Sequence, residues 1–151
     1  MDNYLDLNRQ EWNKRTSLHL NSPFYNLEGF LKGESSLNSI ELDLLGDVST
    51  SSILHLQCHF GMDSLSLSRM GADVTGLDLS DKAIAKAKEL NSSIGTSATF
   101  VCSDVYSAPE RIDQKFDIVF TSYGTIGWLP DVDQWAQVIA TMLKPGGLLV
   151  F

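Results

Sequence analysis

The chain has 151 residues, a formal net charge of −8 and a hydrophobic fraction of 43%. This length suits one domain with its own core, and the hydrophobic fraction is that of a globular protein rather than a disordered one. The acidic balance, with no cluster of lysines and arginines, argues against partners such as nucleic acids or an anionic membrane surface.

The amino terminus and the cysteines bear on where the chain resides. An acid, Asp6, lies where a secretory signal would be basic, and no apolar run approaches the roughly 18 residues that cross a bilayer. Both cysteines, Cys58 and Cys102, lie in or beside apolar segments, and we expect them to be small buried side chains in a reducing compartment. We therefore expect a cytoplasmic protein without disulfide bonds or membrane contact.

The first part of the chain is predicted to be mainly helical. A helix over residues 4–20 ends at Asn21-Ser22-Pro23, and an aromatic-rich loop covers 24–33. A second helix runs over 37–45 and ends at Gly46. The buried positions that we expect in the first helix are Leu5, Trp12 and Leu18.

From residue 52 onward, strand-like and helix-like segments alternate. Ser80 is predicted to cap the helix that begins at Asp81. Helices of about ten residues between strands predict a parallel, doubly wound sheet with right-handed crossovers. The predicted strands are 53–57, 74–78, 98–102, 116–121 and a fifth that starts at 148, and the predicted helices are 61–70, 81–90 and 131–143.

The carboxyl-terminal segment Leu148-Leu149-Val150-Phe151 is as hydrophobic as a central strand. We expect either a short strand that a partner covers or the front part of a longer domain, and we favour truncation. An open sheet edge of this kind can pair with a second copy, so a homodimer is one expected state.

Two segments in sequence predict a cofactor site. The first, 53–61, is a buried strand that enters a turn with Gly61 and then a helix, and the second, 73–78, is a strand that ends on Asp78. A strand, a glycine-containing turn, a helix and a second strand that ends in an acid are the parts of a nucleotide-type cofactor site. The carboxylate can accept hydrogen bonds from two ribose hydroxyls.

These segments resemble those of class I S-adenosylmethionine-dependent methyltransferases. The first motif, Leu-His-Leu-Gln-Cys-His-Phe-Gly at 54–61, is similar to that of a bacterial small-molecule-type branch, and the resemblance extends from Trp12 to Gly147. It implies a Rossmann-like, mostly parallel sheet that is cut off after the start of strand five. It also implies that residues 1–50 form a helical lid segment and that 51–151 form the cofactor-binding half of one domain.

The resemblance also implies roles for matched positions. The turn after strand one would lie under the methionine part of the cofactor, strand two would end at its ribose, and strand three would end near its adenine. The end of strand four would face the transferable methyl group and the acceptor. The implied cofactor-binding residues are Gln57, Cys58, His59, Gly61, Asp78, Leu79, Asp104, Val105, Thr121 and Arg15, and those on the substrate side are Tyr25, Tyr123 and Trp128.

The chain departs from the broad family at three positions of the first motif. His55, Gln57 and His59 replace the usual acid, first glycine and second glycine, and only Gly61 remains. Since glycine permits a positive φ and close backbone approach, the side chains present here must point away from the ligand or contact it themselves.

Several candidates also have a purely structural explanation. Asp78 could be a solvated strand-end acid, and Asp104 could be a turn or helix-cap residue. His55 is better explained as a hydrogen-bonded strand residue than as a catalyst, and the same reading is favoured less strongly for His59. Trp12 and Arg15 could be packing and surface residues instead of a lid in which Arg15 pairs with the cofactor carboxylate. Core or lid packing explains Phe24, Tyr25 and Trp128 better than substrate contact does.

We expect no metal site. A set made of His55, Cys58, His59 and Cys102 would need the third strand beside the first, and the sequence has no zinc-type spacing.

Three hypotheses for function follow. The first is a methyltransferase that acts on a small-molecule acceptor, with no catalytic base identified. The second is a truncated, non-catalytic domain that binds the cofactor or associates with itself. The third is an NAD-dependent dehydrogenase, against which the absence of a Gly-x-Gly-x-x-Gly turn argues.

Overall fold

The computed structural model describes residues 3–151, so the first two residues of the predicted 1–50 segment lie outside it. The helices are α1 (Tyr4–Leu20), α2 (Leu27–Leu31), α3 (Ser39–Leu45), α4 (Met62–Arg69), α5 (Asp81–Ile94), α6 (Ala108–Arg111) and α7 (Val132–Met142). The strands are β1 (Ser52–Leu56), β2 (Asp73–Asp78), β3 (Thr99–Cys102), β4 (Phe116–Phe120) and β5 (Leu143–Val150). Short 3₁₀ turns cover Val105–Ser107 and Thr125–Trp128.

The five strands form one sheet in the order β3-β2-β1-β4-β5, and every neighbouring pair is parallel. This arrangement confirms the predicted doubly wound sheet. The chain passes outward from β1 to β3, then returns to place β4 on the other side of β1. The strand order therefore reverses between β1 and β4, and in an open parallel sheet the crevice at this point is where ligands bind.

Each face of the sheet has its own core. Along β1, Ile53 packs into the cluster that contains apolar residues of α2, α3, α4 and α5, whereas Leu54 and Leu56 pack into the cluster that contains those of α6 and α7. This alternation follows from the two-residue repeat of a strand, and burial on both faces explains why β4 is apolar apart from Asp117 and why β1 is buried throughout.

The amino-terminal helix α1 lies against α5 and is attached to its start. The Asn13 Nδ2 atom donates to Asp81 Oδ1 at 2.8 Å, and Asn13 Oδ1 accepts from Ser80 Oγ at 2.6 Å. Ser80 Oγ in turn accepts from the Ala83 amide at 3.0 Å, which confirms that Ser80 caps α5. One asparagine thus fixes α1 immediately beside the end of β2.

The structure corrects four local expectations. Residues 24–33 contain helix α2, which Asn26 starts in a left-handed conformation by accepting a hydrogen bond from the Gly29 amide. Strand β5 begins at Leu143 rather than at 148, with a register irregularity opposite β4. Leu18 is 70% exposed because it faces away from the core. Cys102 is also exposed, since it ends the edge strand β3, whereas Cys58 is buried.

Within residues 3–151, no helix combines the length and the apolar character needed to cross a bilayer.

Candidate active site

Two adjoining cavities lie at the carboxyl ends of the central strands. The small cavity, of about 80 Å³, lies beyond β2 and β3, and the large cavity, of about 520 Å³, lies beyond β1 and β4. Four residues line both cavities and form the partition between them: Trp12, Gln57, His59 and Thr125.

The Asp78 carboxylate, at the end of β2, links the ends of two strands. Its Oδ2 accepts from the His59 amide at 2.7 Å and its Oδ1 accepts from the Ser80 amide at 2.8 Å. Burial raises the pKa of Asp78, and the backbone donors only partly offset this effect. Because the carboxylate also lines the small cavity, hydroxyl groups of a ligand there could donate to its remaining lone pairs.

The turn after β1 alternates between ordinary and left-handed backbone. Gln57, His59 and Gly61 have φ values of 56°, 55° and 78°. At Gly61 a Cβ atom would lie 2.7 Å from the Phe100 ring, so only glycine fits. At the other two positions a side chain is present despite the left-handed conformation, which is a source of local strain. The two replaced glycines of the family motif are therefore still glycine-like in their backbone.

The Gln57 side chain lies in the partition between the two cavities. Its Nε2 donates to the Thr125 carbonyl at 3.3 Å, whereas its Oε1 is buried with no hydrogen-bond donor among residues 3–151. An unpaired buried carbonyl is costly, and such groups usually have a partner. Its position between the cavities fits a ligand that spans both and supplies a donor.

His59 belongs to an aromatic cluster under α1. Its Nε2 lies 2.9 Å from His19 Nδ1, which also lies 3.0 Å from the Tyr25 hydroxyl, and its ring packs edge-on against Trp12. Burial, together with the nearby His19, lowers the pKa of His59 to about 3, so the ring is neutral at pH 7. Its Nδ1 is buried and has no partner among the described residues.

Arg15 does not line either cavity. Its Nε donates to Glu11 Oε1 at 3.0 Å, and its guanidinium lies 5.6 Å from the Trp12 ring centroid and 5.2 Å from that of Trp128. This stack of a cation and two indoles closes α1 over the small cavity.

Other predicted positions separate into several environments. Leu79, Asp104, Val105 and Trp128 line the small cavity, although both Asp104 oxygens already accept from Ser107. Thr121 is buried, bonds to the Thr125 hydroxyl at 2.8 Å and lines neither cavity. The predicted residues that line the large cavity are Tyr25, Gln57, Cys58, His59, Gly61 and Tyr123.

His55 and Asp63 are two further ionisable residues in the wall of the large cavity. His55 is 2% exposed, bonds to Ser64 Oγ at 2.7 Å and packs against Phe120, and burial lowers its pKa to about 3. Burial raises the pKa of Asp63 to about 6. Sequence reasoning missed Asp63, because an acid in the first turn of a helix is also the ordinary partner of the helix dipole.

Among residues 3–151, no three His, Cys, Asp or Glu side chains are grouped as metal ligands would be.

Comparison with known proteins gives the family. The model of a methyltransferase domain family matches residues 53–147, which is more than half of the chain. The chain belongs to this methyltransferase family. The resemblance to class I S-adenosylmethionine-dependent methyltransferases is thereby confirmed at the level of the family.

Individual relatives agree with this assignment. The ubiquinone biosynthesis O-methyltransferase of Photorhabdus laumondii is 31% identical over 134 residues, which cover 86% of this chain and 55% of the relative. The same enzyme of Proteus mirabilis is 27% identical over 155 residues, which cover 91% and 63%. This methyltransferase-family chain therefore spans only part of the length of these curated relatives.

A solved structure with bound SAH has the same fold. The DhpI–SAH complex aligns with a TM-score of 0.73 and 20% sequence identity over 99% of this chain and 68% of that chain. This likeness confirms the Rossmann-like methyltransferase fold.

The strained turn makes a testable difference to stability. We expect the Gln57→Gly variant to be more stable than Gln57→Ala by about 1 kcal/mol, because alanine keeps the left-handed strain and glycine relieves it. The free energy of unfolding in urea measures this difference. At the exposed helix position Gln137 the order should reverse by a similar amount, since glycine there weakens α7. Equal stability of the two Gln57 variants would contradict the strain.

His55 makes stability depend on pH. Its folded pKa lies below the ordinary 6.5, so its contribution is complete above that value and is lost as the pH falls toward 3. We compare the unfolding free energy of the wild type with that of His55→Gln. The margin by which the wild type is more stable should be about 2 kcal/mol smaller at pH 5 than at pH 7. The raised pKa values of Asp63 and Asp78 act in the opposite direction, but comparison with the variant cancels them. A margin that stays constant would show that His55 keeps the ordinary pKa of an exposed ring, and a margin that grows would show that it is charged in the folded chain.

Proposed function

We propose that this chain binds S-adenosylmethionine across the two cavities and serves methyl transfer to a small molecule. The observation that carries the proposal is the buried Asp78 carboxylate, held by two backbone amides at the point where the strand order reverses. A carboxylate in this position accepts ribose hydroxyls, and the adjoining large cavity leaves space for an acceptor.

The residues of the two cavities match the parts of the cofactor. Leu79, Val105 and Asp104 would surround the adenine, Asp78 would bind the ribose, and the turn 57–61 would hold the methionine part. Gln57 Oε1 and His59 Nδ1, which have no partner among residues 3–151, belong to the partition that a cofactor bound across both cavities would cross. When bound, the cofactor supplies a methyl group on a sulfonium sulfur. A nucleophilic atom of the acceptor would bond to this methyl carbon, with the sulfur as the leaving group.

The amino-terminal segment, residues 1–50, would act as a lid on the half formed by 51–151. Trp12 forms part of the partition between the two cavities. Arg15 would have to release Glu11 in order to pair with the cofactor carboxylate. The small cavity is smaller than ordinary ligand sites, so α1 would move outward when the nucleoside enters.

A small-molecule acceptor fits the acidic surface and the enclosed large cavity better than a nucleic acid does. The curated relatives described above are ubiquinone biosynthesis O-methyltransferases, which supports the same class of acceptor. The small-molecule branch suggested by the first motif and a cytoplasmic location remain predictions from the sequence.

Titration calorimetry with S-adenosylhomocysteine tests the proposal. We expect binding in the micromolar range, about −8 kcal/mol. The Asp78→Asn variant should lose about 1.5–3 kcal/mol of this, the usual contribution of hydrogen bonds to a charged group. Asp133→Asn removes the same charge from the exposed start of α7 and should bind like the wild type.

Two results would contradict this expectation in different ways. If the wild type and Asp78→Asn bind equally well, and thermal unfolding shows that both are folded, Asp78 is excluded as the ribose anchor. Absence of binding to the wild type would favour the non-catalytic hypothesis, and preference for a nicotinamide dinucleotide would favour the dehydrogenase.

We also propose that a second copy of the chain pairs along β5. Among the described residues, β5 has a neighbouring strand on one side only, and Leu148 and Phe151 are 58% and 70% exposed. Sedimentation velocity should show a dimer for the wild type and a monomer for Leu148→Lys, since a charge on an edge strand opposes pairing. A monomeric wild type would contradict this proposal.

A further inference from the structure

Asp63 has no role in the function proposed above, yet it is held in a defined position in the large cavity. Its Oδ1 accepts from Ser36 Oγ at 2.6 Å, and its Oδ2 accepts from Ser122 Oγ at 3.4 Å. These serines come from the segment before α3 and from the loop after β4, so the carboxylate is fixed from two sides. Among residues 3–151, no lysine or arginine forms an ion pair with it.

The environment of Asp63 is unfavourable to an unpaired negative charge. Burial raises its pKa, and Glu41 adds to this effect while the serine hydrogen bonds oppose it. Asp63 is partly buried, and a carboxylate withdrawn from water without a cation is costly unless a ligand provides one. The site is therefore complementary to a positive group.

The walls of the large cavity also favour a positively charged group. Phe24 and Tyr123, at 74% and 65% exposure, form an aromatic mouth with ring centroids 6.4 Å apart, and Tyr25 lies further inside. The charge of Asp63, after burial itself, raises the pKa of both tyrosines, which places their phenols near it. Faces of aromatic rings attract cations.

No positive side chain competes for this charge. In the described part of the chain, neither lysine nor arginine lines the large cavity, and its two histidines, His55 and His59, are neutral at pH 7. The other carboxylate in the wall, Glu34, adds negative charge and already accepts from Asn26 Nδ2 at 2.9 Å. An anionic acceptor would meet repulsion without a compensating cation.

Independent polar atoms in the same cavity also point to a ligand. The buried Gln57 Oε1 is an acceptor that lacks a donor among residues 3–151. His55, almost fully buried, uses Nδ1 for Ser64, and no other described residue bonds to its Nε2. An N–H group of the cofactor or of the acceptor would satisfy the Gln57 carbonyl, which has no donor among residues 3–151.

We propose that the large cavity binds an acceptor with an apolar body and a primary or secondary amine, whose ammonium group is held by Asp63 and the surrounding aromatic rings. This inference rests on the proposed function and names its substrate class. A charge-assisted hydrogen bond between ammonium and carboxylate is the strongest contact that this cavity offers.

The assignment gives Asp63 a chemical role as well as a binding role. An ammonium nitrogen must lose one proton before it has a lone pair, and the Asp63 carboxylate takes this proton. The nitrogen then forms its bond to the methyl carbon as the carbon–sulfur bond breaks and the electron pair stays on sulfur. The positive charge passes from sulfur to the methylated nitrogen, and Asp63 returns its proton to water.

Three matched probes test the inference by NMR titration of the full chain with S-adenosylhomocysteine present: 2-phenylethylamine, 2-phenylethanol and 3-phenylpropanoate. We expect the amine to bind at least about ten-fold more tightly than the alcohol, and the carboxylate to bind most weakly. In Asp63→Asn the amine should lose this advantage while the alcohol binds as before, which also shows that the cavity is intact. Asp133→Asn, with the same change in charge, should keep the wild-type order.

Four results would overturn the proposal. Two concern the wild type: equal binding of the amine and the alcohol, and no binding of any probe. The other two concern Asp63→Asn: an unchanged preference for the amine, and a loss of affinity for S-adenosylhomocysteine alone. The last result would assign Asp63 to the amino group of the cofactor. If the wild type does not bind S-adenosylhomocysteine, the probes are titrated without it, so failure of the proposed function is distinguished from failure of the amine site.

Discussion

The site depends on the pair of hydrogen bonds that Asp78 accepts from the amides of His59 and Ser80. One amide belongs to the turn after β1 and the other to the start of α5, so a single carboxylate joins the two segments that would hold a nucleoside. Burial makes its charge expensive, and these donors partly offset the cost, which hydroxyl groups of a bound nucleoside would reduce further. The arrangement explains why a carboxylate at the end of β2 is compatible with a nearly closed cavity.

The left-handed backbone of the turn depends on this support. Gln57 and His59 keep conformations that favour glycine, and the His59 amide is directed at Asp78. Strain of this kind persists only where surrounding contacts over-determine the geometry. In return, side chains stand where the family motif has none: Gln57 closes the passage between the cavities and His59 connects the turn to α1 through His19. Replacement of the two glycines by Gln57 and His59 therefore leaves the path of the backbone glycine-like. Its main effect is to add side chains to the partition between the cavities.

The sequence predicted the sheet well because β1, β2 and β4 are buried runs separated by amphipathic helices, and because Ser80 and Gly46 mark helix ends. It could not predict α2, whose start depends on a left-handed asparagine, or the early start of β5, which depends on pairing with β4. Asp78 and the turn were identifiable from local pattern. Asp63 was not, because its significance comes from Ser36 and Ser122, which lie 27 and 59 positions away in the chain.

The attachment of α1 has a consequence for turnover. Asn13 binds Ser80 and Asp81, two and three residues beyond Asp78, and Asn8 reaches the Trp128 carbonyl on the far side of the small cavity. The large cavity opens past Phe24 and Tyr123 without moving these contacts. On the proposed function, the nucleoside of the product would leave the small cavity only after α1 is released, so detachment of this one helix would set the pace of each cycle.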